Sequence, residues 1–561
     1  KESLSLEAIR NHSCGWYYQV SQNAFSHITG NPISFWGTDR IYDIFARNRA
    51  LSSICNSGQG LATGDNDKFV RDWFETSLDR IGFGIENTNQ ALLSGKKWFP
   101  YNKGGEGRRW YGNQILVVDW SDDGYAIKHC FDENGKLKSR PQNTALYFTP
   151  SISWGLISGP LFRYFPKGFV FDVQGMSNFY DTKQQMMKEI AWQNTKVFNA
   201  VSRIISPAGH IQLGEMGNMP CCDNPCENIE QTAKDNIAIS KADWDAHETS
   251  WDFQRNPLWE QQLDIILDEM RERGVFSEDA TIDNIGPFNL PDLLQPLEIL
   301  VENYQSEWED LFHQLHRNEE ELNRKFIEIY GLQDELTPDV PLDEITILQK
   351  GEISIEDNQI VWHKDVIIKQ FISWMVGCFM GRYSADKPGL IIASQGQKIE
   401  DLDLPSMILE IDDDGIIPII QESDFFTDDM TQRIEAGMKA LFGERNFYDN
   451  MKYIKASLGQ ELRDYLYKDY YDDHLQMYSV KGAKRPIYWL FSSKMGDKKK
   501  KGYFKALVYM HRMESDTLSK LHADYVSPYI DKLELQLKEA EDDAVRDDLS
   551  QAQRNKANKL A

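Results

Sequence analysis

Apolar positions along this chain change rhythm several times, and each change marks an element. Between residues 46 and 222, short β-like runs (Ile115–Trp120, Tyr147–Thr149 and Gly168–Val173) are separated by turns rich in Gly, Asn, Asp and Pro. From Thr182 to Ile205 the period becomes helical. Met186, Ile190, Val197, Val201 and Ile204 fall at three-, four- and seven-residue steps, and Ser206-Pro207 stops the pattern. A short extended return is expected from Gly209 to Pro220. Residues 230–335 read as acidic helix, with Leu297, Leu300, Tyr304, Trp308, Leu311 and Leu315 forming one stripe. The most apolar stretch, Val366 to Gly381, is interrupted by Lys369, Gln370 and Ser373 and falls short of the ~20 residues a bilayer requires, so it predicts a buried helix. A mixed block covers 340–480, and a polar helix follows Pro528. The elements add up to an α+β protein: a mixed α/β domain, an acidic long-helix spacer, and a second mixed α/β domain.

The 561 residues, 41% hydrophobic and 12% aromatic, suffice for several cores. Seven scattered cysteines lack the paired spacing of a secreted disulfide framework, which predicts a reducing, cytoplasmic compartment and no membrane association. Residues 1–30 show no basic segment followed by an apolar core, and a first residue other than Met reads as a start inside a longer protein.

A net charge of −26 argues against a generally basic nucleic-acid binder, but the charge is polarised. Residues 401–431 hold ten acids and no base, whereas 481–512 hold ten Lys or Arg against Asp497 alone. Residues 96–140 are mildly basic, with Trp98, Tyr101, Trp110 and Tyr111 interleaved among Lys96, Lys97, Lys103, Arg108 and Arg109. Cations beside flat rings suit phosphate and base contact; rings in the core under a solvated charged face are the competing reading, and both stand at this level.

Chemistry is conspicuous by what is missing. DNA amino-methylation uses an Asp/Asn-Pro-Pro-aromatic loop that accepts hydrogen bonds from the flipped base, and none of the 20 prolines adjoins another. Asn31-Pro32-Ile33 and Asn256-Pro257-Leu258 read as turn or helix-start residues. Gly58-Gln59-Gly60-Leu61-Ala62-Thr63-Gly64 lacks the Lys-Ser/Thr of a nucleotide P-loop and reads as a structural loop. Glu410, Asp412, Asp414 and Gly415 approach a calcium loop, but Gln421 cannot supply its bidentate carboxylate. Cys221, Cys222 and Cys226 with His210 offer zinc-ligand chemistry without a second Cys-x-x-Cys pair, and His313 and His316 read as surface histidines. No catalytic, cofactor-binding or metal-binding residue is assigned.

Several blocks carry a resemblance. Gln59-Gly60-Leu61-Ala62-Thr63-Gly64-Asp65-Asn66-Asp67-Lys68-Phe69, Lys97-Trp98-Phe99-Pro100-Tyr101-Asn102-Lys103-Gly104-Gly105, Trp110-Tyr111-Gly112-Asn113 and Ser139-Arg140-Pro141-Gln142-Asn143-Thr144 resemble the target-recognition region of BREX-type adenine-specific DNA methyltransferases, the PglX family. Gly377-Cys378-Phe379-Met380-Gly381-Arg382-Tyr383-Ser384 and Lys484-Arg485-Pro486-Ile487-Tyr488-Trp489-Leu490-Phe491-Ser492-Ser493 resemble that family's C-terminal half. The resemblance covers residues 30 to 525. It implies a whole protein about twice this length, whose missing half binds S-adenosylmethionine and methylates adenine N6. On that reading this chain is inactive alone, being a cut piece or a split subunit.

The expected layout is a connecting remnant at 1–45, a target-recognition domain at 46–222, a helical spacer at 223–340, an accessory domain at 341–525 and a terminal helix at 526–561. Side chains suited to phosphates and base edges are Lys96, Lys97, Lys103, Arg108, Arg109, Asn113, Arg140, Gln142, Asn143, Lys484 and Arg485. Expected partners are double-stranded DNA, other BREX proteins and an acidic phage protein that mimics DNA. The alternative is a scaffold that docks defence proteins; an independent nuclease or ATP-driven enzyme is a third, disfavoured by the missing P-loop.

Overall fold

A computed structural model describes residues 2–561 except 18, 22–24, 26, 27, 29–32, 106, 156–160, 223–227, 278, 281–292, 403–406, 422–424, 481, 482, 494–502, 547–549 and 561. Lys481, Lys494, the lysine run 498–501, Cys226 and Asn31-Pro32 therefore lie outside the described residues. Helices and several small sheets make the chain α+β. It divides into two units, residues 1–252 with 304–363, and residues 253–303 with 364–561.

In the first unit, short strands that are largely buried on both faces form two four-stranded sheets. One orders Cys55–Gly58, Ser177–Tyr180, Ser151–Trp154 and Phe162–Phe165, all antiparallel, with Cys55 opposite Tyr180 and Ser151 opposite Phe165. The other orders Val70–Asp72, Leu116–Asp119, Trp98–Asn102 and Val170–Phe171, the last pair parallel. Their core gathers Leu61, Phe69, Phe99, Tyr101, Val118, Trp120, Val170 and Phe171. The expected strand at Tyr147–Thr149 is instead a turn behind the 3₁₀ segment Thr144–Leu146, because Phe148 has a left-handed φ of 70°.

The predicted helix over Thr182–Ile205 is two helices, Lys183–Gln193 and Lys196–Ile205. Asn194 and Thr195 break it for identifiable reasons. The Asn194 amide binds both the N–H and the carbonyl of Phe162 (3.1 Å each), and the Thr195 hydroxyl caps the second helix by accepting from Phe198 N. Within the expected extended return, Leu213–Gly217 is helical, started by the Gln212/Glu215 capping box. The helix Ile229–Asp245 also belongs to this unit. Leu297–Tyr330 is one continuous helix whose residues from Tyr304 onward count with the first unit. Leu297, Leu300, Tyr304, Trp308 and Leu315 of the sequence stripe are buried.

The second unit is built on helices Pro257–Glu272, Lys364–Phe379 and Met430–Leu458 and on a sheet ordered Ile416–Pro418, Lys505–Tyr509, Tyr488–Ser492. Asn256 caps the first of these by accepting from Leu258 N, with Pro257 in its first turn, as the sequence indicates. Lys364–Phe379 is buried throughout its last two and a half turns. Among the described residues no helix is long and apolar enough to cross a membrane. The segment after Val526 forms helices Ser527–Val545 and Gln551–Leu560.

Candidate nucleic-acid interface

The glycine-rich block begins as strand and then runs along the sheet edge. Leu61 N donates to the Phe171 carbonyl (2.7 Å), and Ala62 forms an antiparallel bridge with Arg140. A Cβ on Gly60 would lie 1.8 Å from that carbonyl oxygen, and one on Gly64, at φ +78°, 2.8 Å from the Lys138 backbone. Asp65 caps Asn66–Phe69 through Lys68 N. Beneath, the buried Tyr101 hydroxyl meets the Asp172 carboxylate, and burial first, then that charge, raises its pKa well above the usual value. The space over Gly60 and Gly64 is filled by the protein's own backbone, in keeping with a structural loop.

Blocks separated in sequence meet at this edge. Gln142 donates to the Gly60 carbonyl (3.4 Å) and Asn143, at φ 49°, to the Gln59 carbonyl (2.9 Å). Arg140 is exposed, and among the described residues its guanidinium has no partner. Lys97 is exposed, 3.6 Å from Asp119 and over the Trp98 ring at 5.1 Å, while Lys96 donates to the Asp79 carbonyl. Lys103 and Asn113 are half-buried; Asn113, at φ 60°, packs on Gly105.

Arg108 and Arg109, expected among the cations facing solvent, turn inward. Arg108 is 5% exposed; it donates to Asp243 (2.6 Å), Tyr111 O (3.2 Å) and Ser240 O (3.3 Å), and lies on the Trp244 face. Arg109 pairs with Glu319 (2.6 Å) and Glu344 (3.2 Å), and Trp110 Nε1 donates to the other oxygen of Glu319 (2.7 Å). Arg163, wholly buried, donates to the Arg108 and Gly105 carbonyls (3.0 Å each); burial, then Arg108's charge, pushes its pKa down to about 10. Asp243 also accepts Leu348 N (2.7 Å), and buried His247 meets Glu352 at 2.6 Å. Burial opposes the charge on His247, yet the Glu352 carboxylate raises its pKa overall. Acids of the helical segments are thus internal countercharges for Arg108 and Arg109 of the first unit. Trp98, Tyr101, Trp110 and Tyr111 are all buried, which decides between the two readings of those rings: they are core.

In the second unit, Lys484 is exposed on the strand Ala483–Lys484, paired with Ser479–Val480, and Arg485 N donates to Tyr478 O (3.1 Å). The blocks around Arg382 and Tyr488 converge on a buried cage. Arg382 reaches the hydroxyls of Tyr383 (3.1 Å) and Tyr509 (3.3 Å), and His474 Nε2 accepts Tyr488 N (3.3 Å). Burial, then the Arg382 charge, pushes His474 down to about 3. A Cβ on Gly377 would lie 2.5 Å from the Tyr383 ring, which explains that glycine. This block is therefore architecture.

The Glu410–Gly415 segment is a self-satisfied turn. Asp412, fully buried, accepts Gly415 N (2.6 Å) and Ile416 N (3.1 Å) and pairs with Arg433 (2.6 Å). Asp412, Asp413 and Asp414 form the one group of metal-ligand type found among the described residues. Cys221 is buried, and Cys222 N donates to Glu189 (2.8 Å). His316 is half-buried rather than at the surface, its Nε2 2.7 Å from the Val340 carbonyl.

Sequence reasoning passed over the exposed segment 125–138 because its cations are dispersed among acids and its apolar residues do not repeat. No protein-family model matches the chain. The chain is similar to the adenine-specific methyltransferase PglX of Lacticaseibacillus casei (strain Zhang), 31% identical over 551 residues, and to the adenine-specific methyltransferase BrxX of Escherichia coli O9:H4 (strain HS), 30% identical over 564. Each match covers 96% of this chain and 41% of the relative, so the chain spans about two fifths of the length of these proteins.

Proposed function

Taking the similarity to two adenine-specific methyltransferases as premise, we propose that this chain is the DNA target-recognition and accessory part of a BREX-type adenine-N6 methyltransferase. The observation that carries the reading is the sheet edge where Gln59–Gly60, Arg140, Gln142 and Asn143 meet, held by the Gln142 and Asn143 amides on the Gly60 and Gln59 carbonyls and by the Arg140–Ala62 bridge. These bonds fix the backbone that carries Arg140, and reading a base or phosphate requires a side chain held in fixed register. Arg140 offers an uncommitted fork, and Lys96, Lys97 and Lys103 adjoin the same sheet. Methyl transfer from S-adenosylmethionine belongs, on this reading, to the remaining three fifths of the longer proteins. Lys484 and Arg485 would add phosphate contacts from the second unit.

A second reading is favoured by the net charge of −26: a scaffold docking other defence proteins or an acidic DNA mimic at the basic edge. The two part in a titration of the purified chain against labelled duplex DNA across a salt series. Binding that weakens steeply with salt supports target recognition. A folded chain that leaves DNA unbound at low salt moves the scaffold ahead.

A further inference from the structure

Residues 130–140 form a hairpin. Lys138 N donates to Cys130 O (2.8 Å), Asp132 N to Lys136 O (2.8 Å), and Phe131 bridges Leu137 in antiparallel register. The tip is rigidly specified: Gly135 N donates to Asp132 O (3.0 Å), Gly135 has φ 76°, and the Asp132 carboxylate accepts Asn134 N and Lys136 N. The returning arm is pinned at its far end by the Arg140–Ala62 bridge.

Two independent features mark its exposed surface. Phe131 and Leu137, cross-strand partners and hence on one face, are 54% and 44% exposed. Tyr125, 61% exposed, continues the apolar surface: its ring stacks on His129 at 4.0 Å, which in turn meets Phe131 at 6.4 Å. Tyr125 follows three consecutive left-handed residues, Asp122, Asp123 and Gly124, a conformation that costs energy at the two aspartates. The second feature is charge. Lys138 and Arg140 flank the buried Ser139 at alternate positions of the arm, and Lys136 precedes them, so the three succeed one another at about 6.6 Å. Among the described residues no carboxylate pairs with Lys136 or Arg140, and Lys138 has only Asp65 at 4.0 Å. Asp132 is tied into the turn. By strand alternation the three cations point to the face opposite Phe131 and Leu137, so the ribbon carries charge on one side and an uncovered aromatic surface on the other, complementary to the groove of a polyanion with flat, stackable groups.

We propose that this hairpin is the DNA-contacting element of the chain, entering a groove with Lys136, Lys138 and Arg140 on the phosphates of one wall and Phe131 with Leu137, on its opposite face, as an apolar wedge against a base step. The proposal rests on the target-recognition reading and deepens it, since it moves the contact away from the basic-aromatic segment 96–113, whose rings are core. Wedges of this kind press between bases and unstack them.

The test is a salt series of the whole chain binding a labelled mixed-sequence duplex, with two variants: Lys136→Ala/Lys138→Ala/Arg140→Ala, and Phe131→Ser. Each lost phosphate contact lowers the slope of log affinity against log salt by about 0.9, so the triple variant flattens it by roughly 2.7. Phe131→Ser weakens binding roughly tenfold at an unchanged slope, and Phe131→Tyr restores it. Thermal unfolding confirms that each variant is folded; should Phe131→Ser not fold, the triple variant and Phe131→Tyr carry the test. If the wild-type chain binds and the variants bind alike, the hairpin is excluded while target recognition stands. A flattened slope with Phe131→Ser unchanged overturns the wedge and leaves its face to a protein partner. A wild-type chain that does not bind at low salt overturns both the hairpin and the reading beneath it.

Discussion

Asp243→Ala isolates the inward-turned arginines. The substitution leaves the Arg108 guanidinium buried without its carboxylate and deprives Leu348 N of its acceptor. Breaking a buried ion pair from one side costs about 3–5 kcal/mol. Arg108 keeps the Tyr111 and Ser240 carbonyls and the Trp244 face, which places the cost near the lower end, about 3 kcal/mol. Arg108→Met/Asp243→Leu removes both charges, leaves the neutral Leu348 N–H without its acceptor and the Tyr111 and Ser240 carbonyls without their Arg108 donor, at about 1–3 kcal/mol per unsatisfied group, and falls short of the summed single variants. Urea unfolding followed by tryptophan fluorescence measures this. With a slope of about 2–3 kcal/mol/M, the Asp243→Ala midpoint of the first unit's transition moves down by about 1 M. An Asp243→Ala midpoint within about 0.2 M of wild type, or strict additivity in the double variant, refutes a stabilising role for the buried Arg108–Asp243 pair. DNA binding supplies a cross-check, because the salt slope of folded Arg108→Met matches that of wild type.

The remaining predictions concern backbone fit and pH. Gly60→Ala places a methyl group against the Phe171 carbonyl and destabilises the first unit by several kcal/mol, whereas Gly135→Ala, with open space around it, costs only about 1–2 kcal/mol; thermal unfolding ranks the two. His474 is held near 3, below its unfolded value of about 6.5, so its neutral form stabilises the second unit above that pH. This stability is lost as pH falls from about 6.5 toward 3, by about 1.4 kcal/mol per unit; His474→Phe flattens that acid limb in calorimetry. His247 has the opposite sign. Its pKa is raised by Glu352, so its contribution is complete below about 6.5 and disappears as pH rises through the higher folded value; His247→Gln removes that alkaline loss from the first unit's transition.

Local periodicity made some elements legible and left others hidden. The stripe from Leu297 to Leu315, the Asn256-Pro257 start and the buried helix at Lys364–Phe379 depend on neighbours a few residues apart, so the sequence displays them directly. The break at Asn194–Thr195 was hidden because Asn194 answers to Phe162, 32 residues earlier. The inward turn of Arg108 and Arg109 depends on acids 135 and 210 residues away, and a run of cations looks the same whether its countercharge is protein or phosphate. The block Gly58–Gly64 was legible as architecture because its glycines lack the chemistry of a phosphate loop. The hairpin at 130–140 was hidden because isolated apolar residues carry no period, and only exposure distinguishes Phe131 from the core Phe99.

Glu319 has a consequence for anyone wishing to transplant the sheets of the first unit. One carboxylate, far downstream in sequence, fastens both Arg109 and Trp110, and Asp243 and Glu344 lie beyond residue 222 as well. A graft of residues 46–222 into another protein would arrive with buried cations and no anions to receive them. A functional exchange must carry two discontinuous pieces, the first running on through the helix Ile229–Asp245 and the second from Tyr304 to His363, so the portable part is defined by charge neutrality rather than by a contiguous stretch of gene.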